Sequence, residues 1–315
     1  VRRQRQMCIR DSIISDFKSF TPEKWQSFNK VQKKYHFPFS YAHLFDLKNS
    51  PEKYLIEDLN LLERISGRYG INEIDENGKF VIKKQNSALY PIFKSVIETE
   101  IKDEELAKKN RFFFLPGYDK HKIELSKMHK DSFLTQMIEK NNGILDGNFS
   151  NLLMTYLTEN MDSPSVYKSL RKQVQDLISH AKKYNTLKNL PKEFVGFLEI
   201  FSGSIKDDQI FEKLVDYRKW TLKFTGKDFS KLSQPEQIVD IYMSLDIVKG
   251  FSEDISKKNR WVNMYRDAQH CGNASQSKYY ITKEQNNKNK FNFIMREFNL
   301  KCREITLEDL LNRIS

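Results

Sequence analysis

The sequence predicts an α/β fold, a parallel sheet flanked by helices and assembled from both ends of the chain, with a large helical insertion in the middle. Short strand-like segments alternate with helical ones in residues 13–95, and the same alternation returns in residues 236–315. Between them, residues 96–235 turn helical with polar connections. Strands separated by helices favour parallel pairing, because a parallel neighbour needs a long crossover. Hydrophobic residues are 39% and charged residues 30% of the 315, with only 11 Gly and 8 Pro, which excludes a disordered chain and favours a mainly helical one.

From Phe17 to Lys34 the text reads as a helix entered through "FTPEKW", with Thr21 as cap and Pro22 at the first helical position. "YHFPFS" (35–40) comes next as a short aromatic strand. Ser40 ends it and caps a helix, "YAHLFDLKN", in which His43 and Asp46 are three apart and share a face. The next helix opens with Ser50 as cap and Pro51 after it, and Leu55, Leu59, Leu62 and Ile65 form its apolar stripe. In "GINEIDENGKFVIKKQ", Asn77-Gly78 lies between strand-like segments, a strong hairpin signal.

Helical stripes recur in the middle section. "SPSVYKSLRKQVQDLISHAKKYN" starts at Ser163 and Pro164, and "DQIFEKLVDYRKWTLKF" and "QPEQIVDIYMSLDIVKGF" read the same way. In the second, "DYRKWTLKF" (216–224) reads either as a surface that stacks bases and grips phosphates or as a core stripe, and helical spacing favours a core for Tyr217, Trp220 and Phe224 with Arg218 and Lys219 solvated. The last section has a helix to about Ser275, the strand "KYYIT" (278–282), an amphipathic stretch through Phe298, then "REITLEDLLNRI", a short strand and a helix capped by Thr306.

Lys plus Arg number 53 against 42 for Asp plus Glu, a net charge of +11 that suits phosphate-rich partners, although a lysine-rich solvated surface has the same balance. Lys283, Lys288, Lys290, Lys257, Lys258 and Arg260 are placed to steer a polyanion or simply to solvate a face. No apolar run approaches the ~18 residues of a membrane span, and no signal-peptide pattern opens the chain, so a cytoplasmic protein is expected. Cys8, Cys271 and Cys302 are too few and scattered for a disulfide framework or a metal knuckle.

The first twelve residues, "VRRQRQMCIRDS", differ from the Lys-, Asn-, Ile- and Phe-rich remainder of the chain, with four Arg, no Lys and no periodicity. They resemble translated sequencing adapter and are set aside as non-native; without their four arginines and one aspartate the charge is still about +8.

The candidate site is a set of acids near strand ends. Asp46 lies after one strand, Asp267 and His270 precede another, and Glu284 lies just beyond it. Open α/β sheets collect ligands at the carboxyl ends of their strands. Converging carboxylates repel unless a cation joins them, and Mg²⁺ or Mn²⁺ accepts carboxylate oxygens while binding phosphate. Such an ion can activate water and stabilise a leaving oxygen in phosphodiester cleavage. Each of these acids also has an ordinary reading as a solvated helix face or turn, and His43 and His270 as hydrogen-bonded structural residues. Asp246, in "SLDIVKGF", reads as a packing-edge acid or cap. No Gly-rich phosphate loop, Cys/His zinc pattern or Ser nucleophile elbow is present.

"FSYAHLFDL" resembles the strand and helix of PIN-domain nucleases, in which a Ser ends the strand and an acid comes after it. "RDAQHCGNASQSKYYITKEQ" is similar to that family's later pattern: an acid-Ala pair, a small-residue helix, a strand, then Thr-x-acid. The resemblance covers residues 13–65 and 260–315. It implies a PIN-like sheet with halves at 13–95 and 236–315, and a nuclease that takes Mg²⁺ or Mn²⁺ and acts on RNA rather than DNA. Asp46, Asp267 and Glu284 are its implied catalytic acids and metal ligands, with Ser40, His43, His270, Thr282 and Lys283 binding substrate or supporting them. Glu284 departs from the Asp usual at the fourth position. The family's opening strand, with its first acid, is expected to be missing, its place taken by the adapter-like text, so the fragment is expected to be weak or inactive. The alternative is a noncatalytic PIN-like module that binds nucleic acid, or a protein through the helical insertion.

Overall fold

The computed structural model describes residues 5–98 apart from 10 and 77, residues 192–251 apart from 202, 204, 224–227 and 249, residues 261–282 and 288–312, and the single positions 179 and 183. The chain divides into two compact units: residues 1–101, 233–242 and 265–315 form the first, and residues 102–232 with 243–264 the second. Among the described residues the fold is α/β, and no helix is long and apolar enough to cross a membrane.

The first unit is built on a four-stranded sheet in which every pairing is parallel. Its strands are β1 (Arg5–Ile9), β2 (Tyr35–His36), β5 (Tyr279–Ile281) and β6 (Arg303–Ile305), in the order β2-β1-β5-β6. β1 reaches β2 through α1 (Asp11–Lys18) and α2 (Pro22–Gln32), and β5 reaches β6 through one helix, Lys288–Glu297. The N-terminal pair therefore grows one way and the C-terminal pair the other, so β1 and β5 meet where the direction of winding reverses.

This arrangement corrects the exclusion of residues 1–12. Arg5–Ile9 is the strand between the two halves, in register with Tyr35–His36 on one side and with Tyr279–Ile281 on the other. Parallel pairing uses backbone groups that every non-proline residue carries, so a slot between two strands accepts a segment whatever its composition. Composition and periodicity are therefore poor guides there. Arg5–Ile9 is thus a strand in a segment that the sequence reading sets aside.

The predicted caps around α2 are present: Thr21 accepts from the Lys24 amide at 3.4 Å, and Pro22 opens the helix. Phe17, Trp25, Phe28 and Val31 are buried and meet Ile281 and Ile305 of the sheet. Their rings pack tilted or edge-on, Phe17 with Phe28 at 4.7 Å and Trp25 with Phe28 at 5.9 Å, the geometry ring quadrupoles favour. Burying each such side chain stabilises by roughly 2 kcal/mol. The aromatic text 35–40 is only partly a strand: Pro38 has no N–H, and pairing with β1 ends at His36. Phe39 then bonds to a different partner, accepting from Ile71 at 2.8 Å and donating to Tyr69 at 2.9 Å.

Ser40 leads into α3 (Tyr41–Asp46), and α4 (Glu52–Ser66) comes after a turn. Here Pro51, rather than Ser50, takes the cap position, and the Ser50 amide closes the preceding turn on Leu47. Leu59, Leu62 and Ile65 are buried as their spacing predicts. β3 (Tyr69–Ile74) and β4 (Phe80–Lys84) form an antiparallel hairpin, with Gly78 at φ 73 supplying the left-handed turn residue; Asn77 lies outside the described residues. Gln276 clasps the hairpin, accepting from the Phe80 amide at 2.8 Å and donating to the Gly78 carbonyl at 2.5 Å.

Two further helices pass through the first unit, α7 (Gln234–Ser244) and α8 (Trp261–Ala274). α7 starts with a capping box in which Glu236 accepts from the Ser233 amide and hydroxyl at 2.8 and 2.7 Å. Gly272 lets α8 lie against α7: an added Cβ would meet the Pro235 carbonyl oxygen and Val239 at 3.0 Å each. After β6, Thr306 caps the last helix, Leu307–Asn312, by accepting from Asp309 at 3.1 Å.

In the second unit, α5 (Lys192–Phe201) and α6 (Ile210–Lys223) pack through Leu198, Ile200, Leu214 and Leu222. Tyr217 is buried as expected, 6.2 Å from the Trp220 ring, and Lys219 is exposed. Arg218 is not solvated: it is among the most buried side chains described. It neighbours Tyr217 and Leu222 on the inward side of α6, so the stripe is wider than the apolar residues alone indicate. The predicted helix from Ser163 to Asn185 and the side chain of Phe224 lie outside the described residues, apart from helical positions 179 and 183.

Candidate functional site

Asp46, at the end of α3, is the centre of the candidate site. Ser40 and the first turn of α3 determine its surroundings. The Ser40 amide donates to His43 Nδ1 at 3.0 Å, and the Ser40 hydroxyl lies 2.9 Å from the same nitrogen. A backbone N–H can only donate, so Nδ1 is an acceptor and the ring proton is on Nε2. His43 is thus a neutral imidazole in the role that a Glu or Gln has at the third position of a capping box. It is fully buried and stands edge-on to His270, with ring centroids 4.8 Å apart.

His270 comes from α8, more than two hundred residues later in the chain. Its Nε2 lies 2.9 Å from Asp46 Oδ2, and because an ionised carboxylate can only accept, this Nε2 carries a proton. Arg266 stands one helical turn earlier on the same face, with Nη1 3.6 Å from Asp46 Oδ1. Side-chain exposures are 11% for Asp46, 9% for Arg266 and 1% for His270, so the cluster is largely withdrawn from water. Each oxygen of Asp46 faces a nitrogen donor, one a guanidinium, and charge compensation in such surroundings matters more than at a surface.

Near the cluster, Tyr265 leaves about 40% of its surface exposed, yet burial of its hydroxyl end raises its pKa. A hydrogen bond with Gln269 opposes that rise and the charge of Glu236 adds to it. Burial also lowers the pKa of His36, whose ring lies 4.4 Å from that of Tyr69. Glu304 of β6 is raised by burial, with Lys288 pulling the other way.

Comparison with family models, curated proteins and solved structures finds no match to the chain.

The structure brings Ser40, His43, Asp46 and His270 together. Asp267 is half-buried on α8, next to Arg266, on the flank of the helix face that meets Asp46. Thr282 is buried just past β5, its amide donating to the Ile305 carbonyl at 3.4 Å. Glu284 and Lys283 lie outside the described residues, as do Lys257, Lys258 and Arg260. Asp246 is buried in a 3-10 turn of the second unit. Lys290 neither faces a polyanion nor solvates a face: it is buried, with its ammonium 5.1 Å from the centre of the Tyr242 ring, while Lys288 is exposed.

Arg266 is the member of the cluster that the sequence reading misses. Its signal is present in "RDAQH", where the i to i+4 spacing aligns Arg266 with His270; a search for acids settles on Asp267 and its i to i+3 pair instead. Carboxylates such as Asp46 and Asp267 are the ligand type a hard divalent cation takes, while both Asp46 oxygens face nitrogen donors. Among the described residues, no group of three or more His, Cys, Asp or Glu is gathered to hold one. A third carboxylate would have to come from beyond them, and Glu284 is the one the sequence offers.

Proposed function

We propose that this chain is a PIN-like, divalent-metal-dependent nuclease that hydrolyses phosphodiester bonds, in RNA rather than DNA. One observation carries the reading: Asp46 and the Arg266–His270 turn, from opposite ends of the chain, meet in a unit built on a parallel sheet whose winding reverses between β1 and β5. Open α/β sheets hold their ligands at such a reversal, beyond the carboxyl ends of the strands. The surplus of 53 basic over 42 acidic residues supports a polyanionic substrate.

In this reading Asp46, Asp267 and Glu284 would hold Mg²⁺ or Mn²⁺, and the ion would supply an activated water and stabilise a leaving oxygen. His270 orients the Asp46 carboxylate through its Nε2–H. His43 keeps α3 capped with a neutral ring, so it adds no positive charge beside the acid. The test is cleavage of labelled RNA and DNA oligonucleotides with Mg²⁺, with Mn²⁺ and with EDTA. Cleavage of RNA that is weak in this chain, dependent on the metal and lost in Asp267→Asn is expected, since a charge-stabilising group at a reacting centre is worth about a hundredfold or more.

A second reading, a noncatalytic PIN-like module that binds nucleic acid or a protein partner, is favoured by the nitrogen donors facing both Asp46 oxygens. It expects binding that survives EDTA and Asp267→Asn, with no cleavage in either metal.

A further inference from the structure

We propose that the amino edge of the parallel sheet binds single-stranded nucleic acid, with Lys34, Lys278, Lys301 and Arg303 on its phosphates and the rings of Tyr35 and Tyr279 against its bases. The inference needs no metal and no member of the Asp46 cluster; it shares with the readings above only a nucleic-acid partner. In a parallel sheet all strands start at one edge, so the residues that lead into them are gathered there. Here those residues are basic. Lys34 precedes Tyr35 of β2, Lys278 precedes Tyr279 of β5, and Lys301 stands just ahead of Arg303, which opens β6. The Arg303 amide donates to the Lys278 carbonyl at 3.2 Å, which joins two of these lead-ins directly.

On an ordinary lysine-rich surface the cations are interspersed with acids. No Asp or Glu occurs in residues 32–35, 276–279 or 300–303. Among the described residues, no carboxylate forms an ion pair with Lys34, Lys278, Lys301 or Arg303, and all but the half-buried Lys278 are exposed. Like charges gathered in this way repel one another and gain from a counter-charge. The array is also extended. The order β2-β1-β5-β6 spreads it over three strand spacings, about 14 Å, which suits successive phosphates of a chain better than one phosphate group.

The aromatic pair decides between polyanions. Tyr35 and Tyr279 stand edge-on with ring centroids 6.2 Å apart, each half-buried against the core, and the Lys278 ammonium lies 5.9 and 4.7 Å from their centres. Ring quadrupoles hold that cation in place without neutralising it. Arg303 is the ladder partner of Tyr279, so its side chain is on the same face of the sheet as that ring. A single strand uses both features, its phosphates taking the cations and an unstacked base meeting a ring. A duplex or an anionic membrane offers phosphates but no free base.

The test is fluorescence anisotropy of a short labelled oligouridylate with the whole protein, in EDTA, over a series of salt concentrations. Lys34→Gln, Lys278→Gln and Arg303→Gln should each weaken binding and make the slope of log affinity against log salt shallower by about 0.7, the value for one phosphate contact on a single strand. Tyr35→Leu, which keeps an apolar side chain against the core, should weaken binding about tenfold and leave the slope as it is. Lys53→Gln removes a charge that also lies over a tyrosine, outside the array, and should change neither quantity. Near-UV circular dichroism checks that each variant is folded.

Affinity and slope unchanged in the folded Lys278→Gln/Arg303→Gln double variant overturn the proposal. So does a duplex bound as tightly as the single strand, or binding to phosphatidylserine vesicles but not to the oligonucleotide. Metal-dependent cleavage is read separately: cleavage kept in a double variant that binds as the unaltered chain does leaves the nuclease reading standing while this edge falls.

Discussion

At the scale of single residues, Asp46 is the keystone of its surroundings whatever the chain does. Removing its carboxylate leaves Arg266 and His270 buried without their shared acceptor, and breaking a buried pair from one side is strongly unfavourable. Asp46→Ala should therefore destabilise the first unit by about 3 kcal/mol in urea unfolding, a loss that a solvated surface acid would not cause. His43 offers a check on the local chemistry: nitrogen NMR at neutral pH should find the Nε2–H tautomer, since Nδ1 is taken up as an acceptor for the Ser40 amide. His36 gives a pH effect with a definite sign. Burial lowers its folded pKa below the ordinary value of about 6.5, so above that value the proton is absent in both states and its contribution is complete. As pH falls below about 6.5 the unfolded chain takes up the proton first, and stability declines until the folded pKa has also been passed. His36→Gln should remove that part of the acid dependence from a series of melts.

At the scale of elements, close approaches decide more than propensities do. α8 can lie on α7 because Gly272 has no side chain, and one of the atoms an added Cβ would meet is a backbone carbonyl oxygen that cannot rotate aside. Gly272→Ala, which would favour an isolated helix, should instead destabilise by about 1–3 kcal/mol, read as a lower melting midpoint. The clasp by Gln276 makes a second prediction. Gln276→Ala removes the acceptor of the Phe80 amide, and hydrogen exchange should show that amide losing protection while the Leu59 and Leu62 amides of α4 keep theirs. Neither contact is legible in the sequence. The helices and the hairpin are, because helical spacing, the Pro22 and Thr21 start and the Asn77-Gly78 turn are local signals. A glutamine that bonds to a hairpin almost two hundred residues away leaves no local trace.

At the scale of the whole molecule, the parallel sheet drawn from both chain ends is readable from the alternation of strands and helices, and its centre is not. The composition of Arg5–Ile9 differs from that of its neighbours, yet strand pairing is made by backbone groups that composition does not report. A chain lacking residues 1–9 should lose cooperative melting in its first unit, because Tyr35–His36 and Tyr279–Ile281 would each become an open edge. The candidate site is legible in part for a similar reason. Ser40, His43, Asp46 and His270 are marked by their spacing, whereas Arg266 belongs to a search for charge balance that a set of acids does not prompt. Phe39 is bonded to the hairpin through both its amide and its carbonyl, and its next neighbour in the chain is Ser40. A displacement of the hairpin is therefore shared between two anchors, Phe39 just ahead of α3 and Gln276 just past α8, which joins the elements that carry Asp46 and His270 to one movable flap.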